Sequence, residues 1–201
     1  MSRVTDATKK IITETALNMF VSRSISKVRL YDIAANADVG EATIYRHFGN
    51  KQTLVLASAI ELSNQISNTY LINNEDLTGF ELIKKFYEIF LEIFKTNIRY
   101  YSFINELDSY LAEEDFEGRE AYEDNIEKYK EKFFFAYNKG IKDGTIRQIE
   151  DAETFYYSTT HSTISLCKKL SSKKILKQDD YVDKEKEIKI LVDLFLEYLK
   201  K

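Results

Sequence analysis

Proline is absent from the 201 residues, glycine occurs six times and cysteine once. Loop-rich and sandwich folds place proline and glycine at their turns, so this scarcity favours helices joined by short links. A lone Cys167 excludes an intrachain disulfide and a cysteine-based metal cage. It fits a reducing compartment, and the expected location is cytoplasmic. No apolar run approaches the ~18–20 residues that cross a bilayer. The opening MSRVTDATKK leads into IITETALNMF, which polar residues break at helical spacing, unlike the core of a signal peptide. Histidine occurs only at His47 and His161. There is no Ser–His–Asp order, no Gly-rich phosphate loop and no HExxH, so a helical enzyme is the weaker alternative, and neither cofactor nor metal is expected. The acidic cluster Glu113-Glu114-Asp115 lacks calcium-loop spacing and reads as solvated surface.

Hydrophobic residues make up 44% of the chain, enough for a sizeable core, and 31% are charged. The net charge of −4 is unevenly spread. Up to Lys51 there are eight basic and five acidic residues; beyond it, 21 basic and 28 acidic. A basic N-terminal quarter on an acidic body suggests that one end meets a polyanion, although an imbalance of this size is equally compatible with chance.

Periodicity predicts helices almost throughout. Residues 6–22 carry Ile12, Ala16, Met19 and Phe20 on one face, with Thr5 or Asp6 as the N-cap. Short helices are expected over 29–36 and 41–48, with Gly49 and Asn50 as turn residues and caps. A long helix follows from about Lys51 to Leu71 on Leu54, Ala57, Leu62 and Ile66. The stretch NNEDLTG is the clearest linker. Phe80, Ile83, Phe86, Tyr87, Phe90 and Phe94 keep the i, i+3, i+4 rhythm. Further helices are expected over about 97–111, through Ile126–Tyr137 to an end near Gly140 or Gly144, and over 151–170 and 185–200.

The segment Ile33–Lys51 carries the most specific pattern. Two helices crossing closely need a small residue at the crossing, and Ala34 supplies it. The tight turn needs a residue that tolerates a left-handed backbone; Asp38 enters that region, less easily than glycine. The second helix must return an apolar side chain to its partner, and Ile44, with Val39, fits this. Glu41, Ala42, Thr43, Arg46 and His47 then lie at the start or outer side of the second helix.

With a preceding helix ending in ALNMF, the run VRLYDIAANADVGEATIYRHFGNKQTL resembles the N-terminal domain of the TetR family of bacterial transcriptional repressors. The DIA, TIYRHF and NKQTL segments carry the resemblance, which covers roughly residues 5–60; the remainder is alike only in being helical and of suitable length. It implies an all-α fold: an N-terminal three-helix helix-turn-helix DNA-binding domain (1–50), then a larger helical ligand-binding and dimerisation domain (51–201). The implied function is a ligand-responsive dimeric repressor that binds a near-palindromic operator and is released by a small-molecule effector. An activator or ligand sink on the same fold is the alternative.

The family's pattern puts DNA contacts at Thr43, Tyr45, Arg46 and His47, with Ala42 at a close approach to the duplex. Tyr45 either sends its hydroxyl to a phosphate or serves packing alone. Arg46 suits a phosphate somewhat better than bidentate guanine. Lys51 opens the long helix where a phosphate would sit, and Arg29 and Tyr31 are further candidates. Gly40 stands where the family often has a capping serine. Glu41 complements the helix dipole, faces solvent or accepts from cytosine.

The family also implies an effector cavity within the body. The candidates to line it are Phe90, Phe94, Tyr101, Asn105, Phe133, Tyr137 and His161, most of the body's aromatics being core. The last helix carries two apolar stripes, Ile188/Leu191/Val192/Phe195/Leu199 and Ile190/Leu194/Tyr198. The preceding one interleaves small residues, Ser158, Thr159, Ser162 and Thr163. Two stripes exceed one core's needs, so a homodimer through the last two helices is expected.

Overall fold

The computed structural model describes residues 2–70, 76–112, 118–172 and 176–201. Leu71, the Asn73–Glu75 part of the linker and the Glu113-Glu114-Asp115 cluster lie outside the described residues. Helices dominate what is described: α1 Ser2–Ser22, α2 Leu30–Asn36, α3 Glu41–Phe48, α4 Lys51–Tyr70, α5 Gly79–Asn97, α6 Arg99–Leu111, α7 Arg119–Asp143, α8 Ala152–Ser171 and α9 Lys184–Leu199. Short 3-10 turns occur at Ile25–Lys27 and Lys177–Asp180. Among the described residues there is no strand, only an isolated antiparallel bridge between Ile146 and Lys200.

One expected boundary differs, and one with two candidate positions is decided. Helix α1 begins at Ser2, so Thr5 and Asp6 lie inside it and neither is its N-cap; nothing in Ser2–Thr5, free of proline and glycine, interrupts the helical ladder. Helix α7 runs through Gly140 to Asp143, and Gly144, at φ +78°, supplies the left-handed stop. Three further helix starts are capped by carboxylates or hydroxyls. Thr78 and Glu81 form a reciprocal capping box on α5, Asp151 accepts from the Thr154 amide, and Asp183 accepts from that of Lys186.

The chain packs as two compact units, Met1–Asn68 with Phe103–Ile126, and Thr69–Ser102 with Glu127–Lys201. In the first, Ile12, Ala16, Met19 and Phe20 are buried as their spacing requires. They share a core with Ile25, Ile33, Ile44 and Leu54. Burying each such side chain contributes roughly 1.5–3 kcal/mol relative to exposure. The Phe20 ring lies parallel to that of Phe103, with centroids 6.3 Å apart. On α4, Leu54 and Leu62 are buried and Ala57 and Ile66 half-buried.

The second unit is built on α5. Ile83, Phe86 and Tyr87 meet Phe133, Ala136 and Tyr137 of α7, Tyr156 of α8, and Val192, Leu196 and Leu199 of α9. Many of its rings meet edge-on, as do Phe86 and Phe133 at 5.6 Å. The interior phenols have partners: Tyr87 Oη lies 2.5 Å from Thr159 Oγ1, and Tyr101 donates to the Phe90 carbonyl at 2.8 Å. Burial raises the pKa of both phenols, and it pushes the Cys167 thiol up to about 12, which marks a packed thiol rather than a nucleophile.

Gly79 and Gly140 are both required where α5 starts against α7. A methyl on Gly79 would land on the backbone of Gly140, and one on Gly140 would enter the Ile146 side chain. The Gly79 amide also donates to Asp143 Oδ2 at 2.8 Å. Backbone cannot yield as a flexible side chain does. Gly79→Ala is therefore expected to lower unfolding free energy by about 2–3 kcal/mol, measured by urea denaturation; a change under ~0.5 kcal/mol would contradict the close approach.

Candidate nucleic-acid interface

The α2–turn–α3 segment has the geometry that its residues predict. Ala34 is buried at the helix crossing, and its carbonyl accepts from the Val39 amide at 3.0 Å, closing the turn. Asp38 sits at φ +54°, the only non-glycine with a positive φ among the described residues. Its carboxylate-bearing side chain is exposed, and αL costs such a residue less than it costs a branched one. Ile44 (0% exposed) and Phe48 (4%) occupy i and i+4 on the inner side of α3. The opposite side is free: Glu41, Ala42, Tyr45 and Arg46 are exposed, and Thr43 and His47 half-buried. The Tyr45 ring keeps 52% of its residue surface open, more than a tyrosine serving only to pack would show.

Around this face lie further polar groups. Tyr31, 63% exposed, stands in the first turn of α2. Arg29, the residue preceding α2, binds Asp32 through Nε at 3.2 Å, and Asp32 also accepts from the Arg29 amide at 3.3 Å. The guanidinium holds the Asp32 carboxyl below its ordinary pKa, and Arg29's own is raised in return. Its side chain remains mostly exposed, so a phosphate can still reach it. Lys9 of α1, a residue that sequence reasoning did not single out, places its ammonium 5.7 Å from the centre of the Phe48 ring, beside the end of α3.

Lys51 does something the sequence did not announce. Its ammonium donates to the carbonyl oxygen of Ile25 at 2.5 Å, and partial burial lowers its pKa. Asn50 caps α4, its side-chain oxygen accepting from the Thr53 amide at 2.9 Å. Gly40 is the N-cap of α3 in extended geometry (φ −77°, ψ 148°) with no side chain to bond the helix amides.

A short helix pair whose second member is apolar inside and free outside is a helix-turn-helix, the architecture of sequence-reading DNA-binding proteins. Residues 12–58 match the family model described as bacterial regulatory proteins, tetR family. The match places segment 12–58 with the DNA-binding domains of TetR-family regulators. No curated protein matches it in sequence. Solved structures extend the likeness over the whole chain. A transcriptional regulator from Saccharomonospora viridis in complex with choline is 17% identical with a TM-score of 0.72, the match covering 98% of this chain and 99% of that one. A tetR-family regulatory protein from Rhodococcus RHA1 is 15% identical, TM-score 0.65, covering 96% and 97%. The ketosteroid transcriptional regulator KstR2 of Mycobacterium tuberculosis is 15% identical, TM-score 0.60, covering 96% and 95%. Identities this low establish a shared fold alone.

The effector-cavity candidates fall into three places. Phe94, Tyr101, Phe133 and Tyr137 are buried and Phe90 is half-buried, all within the second unit. Their rings pack on one another or on neighbouring aromatics, as Phe94 does on Tyr101 at 6.2 Å. The Tyr137 hydroxyl is engaged, accepting from the Ile149 amide at 2.9 Å. His161 is exposed, its ring 5.7 Å from that of Tyr157 on the outer side of α8. Asn105 is exposed and belongs to the other unit. Within the second unit the structure brings Phe94 against Tyr101 and Phe133 against Tyr137. A concavity of about 380 Å³ in the same unit is lined by Tyr70, Lys85, Glu88, Ile89, Leu91, Glu92 and Lys95. Among the described residues no three metal-ligating side chains cluster, and no helix is long and apolar enough to cross a membrane.

An added methyl at Gly40 meets nothing within 4 Å, and its φ is ordinary for any residue. Gly40→Ser is thus expected to raise stability by about 0.5 kcal/mol, through a cap bond and a less flexible unfolded chain. Thermal unfolding of the two proteins side by side measures it; a lowered midpoint would show that Gly40 has another role.

Proposed function

We propose that this chain is a ligand-responsive transcriptional regulator acting as a dimeric repressor. Each protomer lays α3 in the major groove of a near-palindromic operator, and a small-molecule effector releases it. The observation that carries this reading is the division of α3: Ile44 and Phe48 are buried while Ala42, Tyr45 and Arg46 stand open. In that pose Ala42, Thr43, Tyr45, Arg46 and His47 meet the duplex, with Arg29 and Tyr31 on flanking phosphates. Lys51, whose ammonium is already engaged, is treated separately below. The chain works in the cytoplasm and is not an enzyme. Of its histidines, His47 lies beside Phe48 in the DNA head and His161 is a surface group stacked near Tyr157.

A second copy of this chain is the partner, met through α8 and α9. Ile190, Leu194 and Tyr198 recur every fourth residue on α9 and are 54%, 63% and 50% exposed, whereas Ile188, Val192 and Leu199 are buried. An apolar stripe of this kind on a regulator of paired DNA half-sites calls for an isologous partner. On α8 the small residues divide likewise. Thr159 and Thr163 are buried with their hydroxyls bonded to the preceding turn, while Ser158 and Ser162 remain exposed and permit close helix approach.

Release by an effector requires that it bind the DNA-competent and incompetent states with unequal affinity. Helix α4, continuous from Lys51 to Tyr70, is the element whose tilt would carry the head out of register. Choline in the Saccharomonospora regulator supports a small molecule as effector on this fold.

Purified protein is expected to bind duplex DNA from its own gene's upstream region with sequence preference and steep salt dependence. Arg46→Ala should weaken that binding and lower the log–log salt slope by ~1 if the guanidinium meets a phosphate. Fluorescence anisotropy across a salt series measures both; no preference over random duplex would refute the assignment. Leu194→Glu places a charge in the middle of the open α9 stripe. It should yield a monomer by sedimentation and cost at least tenfold in operator affinity, whereas an unchanged dimer would locate the interface elsewhere.

A further inference from the structure

Between α1 and α2, the two peptide groups that flank the Ile25 Cα are each held by a charged side chain from a distant part of the chain. The Ile25 amide donates to Glu106 Oε2 at 2.6 Å, and the Ile25 carbonyl accepts from Lys51 Nζ at 2.5 Å. Ile25 is itself 2% exposed, so both polar groups lie where water would not readily replace a lost partner. Neither belongs to a helical ladder, because the turn at Ile25–Lys27 is a single 3-10 turn between two helices.

Each clamp residue is placed for this task. Glu106 follows Phe103 by three residues on α6, so the two share a face, and Phe103 stacks on Phe20 of α1. That apolar contact delivers the carboxylate to the turn. Lys51 opens α4, where unpaired helix amides carry partial positive charge and a cation is disfavoured. The Ile25 oxygen offsets that charge, and the ammonium would have to abandon it to reach a phosphate. Three residues beyond Ile25 the chain buries Val28 completely, and α2 starts at Leu30. The position of the Ile25 backbone therefore sets where α2 leaves α1.

We infer that Glu106 and Lys51 are positioning residues for DNA reading, which clamp the backbone on either side of Ile25 and so set the placement of α2 and α3 without touching the duplex themselves. This rests on the DNA-binding reading above.

The test uses the full-length protein with its upstream duplex and with a random duplex, over a salt series, for Lys51→Ala, Glu106→Ala and Glu106→Gln. Affinities are normalised to the active fraction found by stoichiometric titration, which separates misfolding from mispositioning. Amide exchange over residues 23–29 is followed in parallel. Lys51→Ala and Glu106→Ala are expected to lower affinity for the preferred sequence about tenfold with the salt slope unchanged. Glu106→Ala should also speed exchange at Ile25, and Glu106→Gln, which keeps an acceptor oxygen, should recover most of the affinity and protection. A slope reduced by ~1 in Lys51→Ala would make Lys51 a phosphate ligand and overturn its place in the clamp. Unaltered affinity in Glu106→Ala, or a Gln variant as weak as the Ala one, would overturn the role of Glu106. If the unmutated protein shows no sequence preference, the DNA reading fails first, visibly and apart from the variants, and the clamp loses its DNA role with it.

Discussion

At φ +54° the Asp38 backbone turns the chain sharply enough for α3 to come back against α2 at Ala34. The reversal has a direct consequence for chemistry. It commits Ile44 and Phe48 to the core, and since side chains three or four apart share a helix face, Tyr45 and Arg46 are thrown to the other side. A helix of eight residues has too few positions to bury more than one stripe. The free surface of α3 is thus a by-product of how its buried surface is anchored.

The helix pair is short, and local bonding alone would not hold it. Isolated helices of seven and eight residues are unstable in water, so their order comes from packing on α1 and α4. The first unit supplies it through Ile12, Phe20 and Leu54, and through charged clamps at the Ile25 turn. In the second unit aromatic rings fill the interior, and the buried hydroxyls of Tyr87, Tyr101 and Tyr137 all have partners. In that interior the rings of Phe94 and Tyr101, and of Phe133 and Tyr137, pack on one another.

Several elements were legible in advance, for local reasons. Helix α3 spans the residues predicted for it, because a glycine on each side bounds an apolar pair at i and i+4. The stripe Ile190/Leu194/Tyr198 was separable from Ile188/Val192/Leu199 by helical period alone, and the structure exposes one and buries the other. Other readings needed contacts beyond the local pattern. Gly140 and Gly144 both offered a stop for α7; the helix runs through Gly140, whose missing side chain leaves room for Ile146, and stops at Gly144. Thr5 and Asp6 are good capping residues, but nothing upstream ends the helix there. His161 and Asn105, polar residues in aromatic neighbourhoods of the sequence, are both exposed, which sequence alone did not decide.

Sequence by itself determined the helical class, the position of the tight turn and which side chains of α3 face inward. These follow from steric and periodic rules that act within a few residues. Only the tertiary structure decided what Lys51 and Glu106 do. Their partners, the N–H and C=O of Ile25, are backbone and leave no mark on residue identity, and Glu106 reaches its own from beyond four intervening helices in the chain. A hydrogen bond to a main-chain group can be made by many side chains at many distances in sequence, so no pattern of letters points to it.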